Sequence, residues 1–262
     1  MKIGCIQYNV VLGEVDQNYA NIEKLIRQAA SEGAELVVLP ELWNTGYALE
    51  RLEQLADVDG VRTKVFLANL ASQLGIHIVG GSVAIKQGND FYNTMYIANR
   101  DGEIVSEYAK VHLFRLMDEE VYLKSGKDMN RFSLAGLEAA GVICYDIRFP
   151  EWLRSHALDG AKVIFVSAQW PTPRIDHWKT LLQARAIENQ CFVIAVNRTA
   201  SNEEEFCGQS MIIEPWGNVI WVGNNDEQLA VVDVDFTLVD EVRARIPVYE
   251  DRRPTLYNAV TK

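Results

Sequence analysis

Runs of apolar residues that follow helical stretches constrain this chain most. ELVVLP (35–40) comes after residues 17–33, where Tyr19, Ile22, Leu25, Ile26, Ala29 and Ala30 recur at helical spacing and Gly33 stands at the C-terminal cap. IHIVGGSVAI (76–85) comes after VFLANLASQLG (65–75). The second half repeats the grammar. The strand GVICYD (141–146) leads to a helix that starts at Pro150 and stops before Gly160, then to KVIFVSA (162–168), a helix over 176–190, and CFVIAVN (191–197). Such continuous runs suit strands covered on both faces, so the chain must place sheet between helical layers. KIGCIQYN (2–9) adds a first strand, and FYNTMYIAN and EIVSEYAK pair about the Arg100-Asp101-Gly102 turn. GQSMIIEPWGNVIW holds a second hairpin about Pro215-Trp216-Gly217-Asn218, followed by the strand LAVVDVD. No linker interrupts this pattern, which predicts one α/β domain of two similar halves over residues 1–262. Residues 246–262 read as a tail that is ordered or bound to a partner.

Composition removes several classes of function. A net charge of −11, spread along the 262 residues, opposes binding to nucleic acid or an anionic membrane. No stretch approaches the roughly 20 apolar residues of a membrane span, and MKIGCIQYNV lacks the cleavage site of a signal peptide. Cys5, Cys144, Cys191 and Cys207 are widely separated and form no C-x-x-C pair. A cytoplasmic protein with reduced thiols, no metal and no cofactor is expected.

Three strands run into a reactive side chain: ELVVLPE reaches Glu41, SEYAK reaches Lys110, and GVICYD passes through Cys144. Ligands of α/β sheets gather beyond the carboxyl ends of strands. There a carboxylate can take a thiol proton, the thiolate can attack carbon, and an ammonium can steady the resulting oxyanion. Each residue also has a structural reading: Cys144 as a buried hydrophobe, Glu41 as a cap after Pro40, Lys110 as a solvated charge. The surroundings favour chemistry. LPELWNTGY sets a carboxylate among aromatic residues, and YAKVHLF encloses a lysine in apolar neighbours.

LPELWNTGY, YAKVHLF and ICYDIRFPEW resemble, in order, the three signature segments of the nitrilase superfamily of carbon–nitrogen hydrolases. The resemblance runs from KIGCIQYNV to DRRPTLY. It implies a four-layer α-β-β-α sandwich and a cysteine hydrolase in which Glu41 is the general base, Cys144 the nucleophile and Lys110 the oxyanion stabiliser. It also implies a second, positioning glutamate, for which LMDEEVYLKSG offers Glu119 and Glu120, with spacing favouring Glu119. The Tyr145 N–H would complete the oxyanion site. The thiolate is the attacking species, so the neighbourhood must favour its ionisation, with Lys110 as the nearby positive charge.

CYDIRFPEW together with SAQWPTPRIDHWKTLLQARAIENQ is similar to the ω-amidase branch of the superfamily, whose members cleave dicarboxylate monoamides such as 2-oxoglutaramate. The free carboxylate of such a substrate needs a cation. Arg148 is one candidate, with pairing to Glu151 or Asp146 as its structural alternative, and Arg174 is another. Trp170 and Phe114 are expected to wall the pocket. Tyr145 follows the cysteine where nitrilases proper carry tryptophan, which favours amides over nitriles. An N-carbamoyl amidase, a repair amidase for deaminated glutathione and a non-catalytic binding protein on the same scaffold stay open. Resemblance of PEWLRSHALDG and the helix ending ARAIENQ to dimerising segments implies a homodimer acting on a small amide.

Overall fold

The computed structural model describes residues 1–200 and 205–257. The first half supplies β1 (Lys2–Gln7), β2 (Leu36–Val38), β3 (Asp57–Val58), β4 (His77–Gln87), β5 (Asp90–Ala98) and β6 (Ile104–Ala109). The second supplies β7 (Arg131–Leu134), β8 (Leu137–Ile143), β9 (Val163–Ala168), β10 (Phe192–Asn197), β11 (Met211–Ile213) and β12 (Val219–Val222). One sheet runs β12-β11-β10-β9-β8-β7. The other runs β13-β1-β2-β4-β5-β6, with β3 alongside β4. Its outermost strand, β13 (Gln228–Asp233), returns from the second half to pair antiparallel with β1. The second half therefore covers the β1 edge of the first half's sheet.

Period-two alternation distributes the first sheet's side chains between two layers. Ile6, Val37, Leu39 and Ile78 meet Ile22, Ile26 and Ala29 of α1 (Val15–Ser31). The short α2 (Leu52–Leu55) precedes α3 (Val61–Leu74), which adds Leu67, Leu70 and Ala71 to the same layer. Ile3, Cys5, Leu36, Val38 and Val79 belong to a separate cluster with Ala139, Val142, Phe165 and Ile194 of the second sheet. Ser167 of β9 donates to the Leu39 carbonyl at 2.8 Å, stitching the sheets directly. Past α4 (Glu119–Tyr122), α5 (Pro150–Leu158) adds Leu153 to that cluster. Trp178, Leu182 and Ala186 of α6 (Ile175–Asn189) join it as well. The result is the α-β-β-α sandwich, and full burial of each large aliphatic or aromatic side chain contributes about 1.5–3 kcal/mol. No helix among the described residues is long and apolar enough to cross a membrane.

The strand expected over 141–146 is shifted. β8 begins at Leu137 and stops at Ile143, and Cys144 opens a 3-10 turn through Arg148. The Ile143 N–H turns to the Asp146 carboxylate at 2.9 Å instead of continuing the ladder. β2 likewise ends at Val38, so Glu41 lies in a coil beyond the strand. After α7 (Leu238–Arg245), the Ile246 carbonyl accepts from Gln190 at 2.7 Å, and Tyr249 bonds the Asn189 carbonyl. The tail is thus tied to the end of α6 and carries the short α8 (Pro254–Tyr257). Its last stretch, 258–262, lies outside the described residues.

Candidate active site

The Gly80-Gly81-Ser82 bulge in β4 moulds the coil that carries Glu41. Gly81 has φ +61°, and a Cβ there would sit 2.1 Å from the Pro40 carbonyl oxygen, so only glycine admits this approach. Ser82 donates its N–H to Pro40 (3.1 Å) and its hydroxyl accepts the Leu42 N–H (3.0 Å). Trp43 closes the mould by donating its indole N–H to the Gly80 carbonyl at 2.8 Å. Glu41 is held with no exposed surface. Its Oε1 accepts from Asn93 (2.8 Å) and Lys110 (2.7 Å), and its Oε2 from the Gln169 N–H (2.8 Å).

Lys110 follows β6 directly, and its N–H reaches the Asn93 carbonyl at 2.8 Å. The buried Nζ is shared between Glu41 and Glu119, 2.7 Å from an oxygen of each. Glu119 also accepts the Tyr47 hydroxyl (2.6 Å) and the Phe114 N–H (2.9 Å). Glu120 is exposed, so of the two glutamates weighed from the sequence only Glu119 enters the site.

Cys144 takes φ +46°, a left-handed conformation costing a non-glycine residue about 1–2 kcal/mol. This sharp turn separates the thiol from the strand and brings it within electrostatic reach of Glu41, Lys110 and Glu119. Glu41, Lys110, Glu119 and Cys144, distant in sequence, therefore form one contiguous group.

A model of the carbon–nitrogen hydrolase family matches residues 2–244. The chain belongs to the carbon–nitrogen hydrolases. It is 50% identical to a Bacillus subtilis protein named 2-oxoglutaramate amidase, over 97% of this chain and 98% of that one. It is 31% identical to the zebrafish (Danio rerio) omega-amidase NIT2, over 98% and 96% of the two chains. Among solved structures, the CN-hydrolase superfamily protein XC1258 from Xanthomonas campestris superposes with a TM-score of 0.89 at 29% identity, over 97% of each chain. The nitrilase-type sandwich and amide-hydrolysing chemistry expected from the sequence are thereby established.

In this hydrolase Cys144 opens onto a cavity lined by Phe114, Tyr145, Arg148, Trp170, Pro171 and Arg174. All five residues singled out as substrate-binding candidates are there. Each arginine lies against an aromatic wall: Arg148 over Trp170 (4.8 Å) and Arg174 over Phe114 (5.3 Å). Arg148 also donates to His177 Nδ1 at 3.2 Å. It forms no ion pair among the described residues, so the expected structural pairing with Glu151 or Asp146 is absent. Asp146 is engaged elsewhere, by Tyr108, His112 and Ile143.

Electrostatics corrects one expectation. Burial pushes the Cys144 thiol well above its usual value, the Glu41 charge pushes the same way, and Lys110 only partly opposes them. Burial also raises Glu41 above the ordinary carboxylate range. Burial disfavours the Lys110 ammonium too, but Glu119 and Glu41 outweigh that and hold it protonated beyond the ordinary lysine range. Lys110 divides its charge between two carboxylates, so a resting thiolate would add a third anion around one cation. The site keeps the thiol protonated, with the Glu41 carboxylate near enough to weigh on it.

Sequence reasoning missed Tyr47, Asn93, Gln169 and Asp146. Tyr47 lies inside the quoted LPELWNTGY segment and Asp146 inside GVICYD, two residues past the cysteine. Asn93 sits in an ordinary strand pattern and Gln169 just past the end of β9, and neither carries a local signal.

Proposed function

We propose that this hydrolase is an ω-amidase, removing the terminal amide of a short dicarboxylate monoamide of the 2-oxoglutaramate type through a thioester on Cys144. The observation carrying this reading is a buried Glu41–Lys110–Cys144 group whose cysteine lines a cavity that two arginines also line. The name of the Bacillus subtilis relative, identical at half its positions, supports the same substrate class.

As Sγ attacks the amide carbon, its proton passes to Glu41, and the C=O π pair moves onto oxygen. The oxyanion meets the third Lys110 N–H and the Tyr145 backbone N–H. Glu41 hands the proton to the amide nitrogen, the C–N bond breaks, and ammonia leaves a thioester. Glu41 then takes a proton from water, hydroxide adds to the thioester carbon, the C–S bond breaks, and the proton returns to sulfur. Proton transfer thus accompanies attack, as a thiol with a raised pKa requires. Glu119 positions Lys110. Arg174 and Arg148 hold the far carboxylate, and Phe114, Trp170 and Tyr145 wall its chain.

The test is ammonia release from 2-oxoglutaramate, succinamate, N-carbamoyl amino acids and a simple nitrile. The first two should turn over fastest, and a preference for either of the others would overturn the assignment. The same reading takes the enzyme as a cytoplasmic homodimer of one-domain chains, with the described part of the tail, residues 246–257, at the interface. Four buried, unpaired cysteines support a reducing compartment. Exposed Leu158 and Ile187 on α5 and α6 support that face of contact. Light scattering should give twice the chain mass, and a monomer would remove the dimer.

A further inference from the structure

We propose that Asp146 is the positioning residue that locks the nucleophile to the lysine, fixing the line along which the Cys144 thiol approaches substrate. This rests on the assignment of Cys144 as nucleophile. The Asp146 carboxylate is fully buried and pairs with no lysine or arginine among the described residues. A bare carboxylate there would be costly, so its hydrogen bonds decide whether the fold tolerates it. The bonds are specific. Oδ2 accepts the Ile143 N–H at 2.9 Å and the Tyr108 hydroxyl at 2.7 Å. Oδ1 accepts the His112 N–H at 3.1 Å and meets His112 Nδ1 at 2.8 Å.

The donors bracket both reacting groups. Ile143 immediately precedes Cys144, and Asp146 itself follows it by two positions. Tyr108 lies two positions before Lys110, and His112 two after it. One carboxylate therefore clamps the turn that aims the sulfur to the segment that aims the ammonium. The clamp is braced from outside. Trp152 donates to the Tyr108 hydroxyl at 3.3 Å, and Phe149 stacks on the His112 ring at 3.7 Å. Cys144 needs such a clamp because its left-handed backbone persists only where surrounding contacts over-determine it.

Three variants test this. Asp146→Asn keeps the shape but turns an amide N–H toward groups that donate. Tyr108→Phe and His112→Phe each keep the ring and remove one donor. A misplaced nucleophile affects turnover more than binding. For Asp146→Asn, kcat should fall about 10²-fold. For each single-donor variant it should fall about threefold to tenfold. KM should stay within about twofold throughout, and Cys144 alkylation by iodoacetamide should change in the same order as kcat. Unchanged kcat in folded variants would overturn the clamp, as would a rise in KM alone. If Asp146→Asn does not fold, the single-donor pair decides by the same criteria. Cys144→Ala run in parallel separates the two claims. If that variant is active, the nucleophile assignment fails. If it is dead while the clamp variants keep full activity, only the clamp fails.

Discussion

At the closed end of the site Glu41, Lys110 and Glu119 have no exposed surface and are joined by bonds of 2.7 Å. At the open end Arg148 and Arg174 are partly exposed and rest over aromatic faces at 4.8 and 5.3 Å. The closed end is over-determined: a side chain cannot shift there without leaving a buried charge unpaired. The open end is held by contacts that tolerate rearrangement. On the proposed mechanism, reaction type belongs to the first region and substrate choice to the second.

That contrast breaks if changes at the closed end prove mild. Cys144→Ala should lower kcat by at least about 10⁴-fold with the fold intact, measured by ammonia release and circular dichroism. Retained amidase activity would remove the mechanism. Lys110→Met leaves two buried carboxylates facing each other, and should cost about 3–5 kcal/mol of stability in urea unfolding as well as activity. A loss under 1 kcal/mol would mean the closed end is not over-determined.

Changes at the open end should act on binding and only for charged substrates. Arg174→Ala should raise KM for 2-oxoglutaramate about tenfold to a hundredfold, the worth of a hydrogen bond to a charged group. KM for a neutral amide of similar length should hardly move. Equal effects on both would place Arg174 in the scaffold.

The pH profile gives the finest discrimination. Glu41 must be ionised to accept the thiol proton, and burial raises its pKa. The acid limb of kcat/KM should therefore lie above the ordinary carboxylate range, with activity rising as Glu41 loses its proton. A limb at or below that range would show that Lys110 dominates the desolvation. For stability, the raised pKa of Lys110 has the opposite consequence. Its contribution is complete below the ordinary lysine range and is lost as pH climbs through the higher folded value.

Much of this was legible in the chain because apolar periodicity reports directly on burial. The runs at 35–40, 162–168 and 191–197 became the cores of β2, β9 and β10. Pro150 and Gly160 bracket α5 as helix punctuation predicts. Glu41, Lys110 and Cys144 stood out because a reactive side chain at the end of an apolar run is conspicuous. Asn93 and Gln169 did not, since an amide in or just past a strand looks the same whether it faces a neighbour or the Glu41 carboxylate. The end of β8 was misplaced for a related reason. GVICYD carries the pattern of a strand, and only the Asp146 carboxylate, by taking the Ile143 N–H, stops it at Cys144.

The sequence by itself determined, through short-range pattern, that sheet lies between helical layers and that three strands run into Glu41, Lys110 and Cys144. Resemblance of its motifs to the nitrilase superfamily supplied the four-layer sandwich and the arginines and aromatic residues that came to line one cavity. Tertiary structure settled that Glu119, which spacing had favoured over Glu120, meets Lys110, and it alone decided that the lysine serves two carboxylates. It also decided that Cys144 rests as a thiol. A pKa is set by which charges and how much water surround a group, and those neighbours come from segments that only folding brings together.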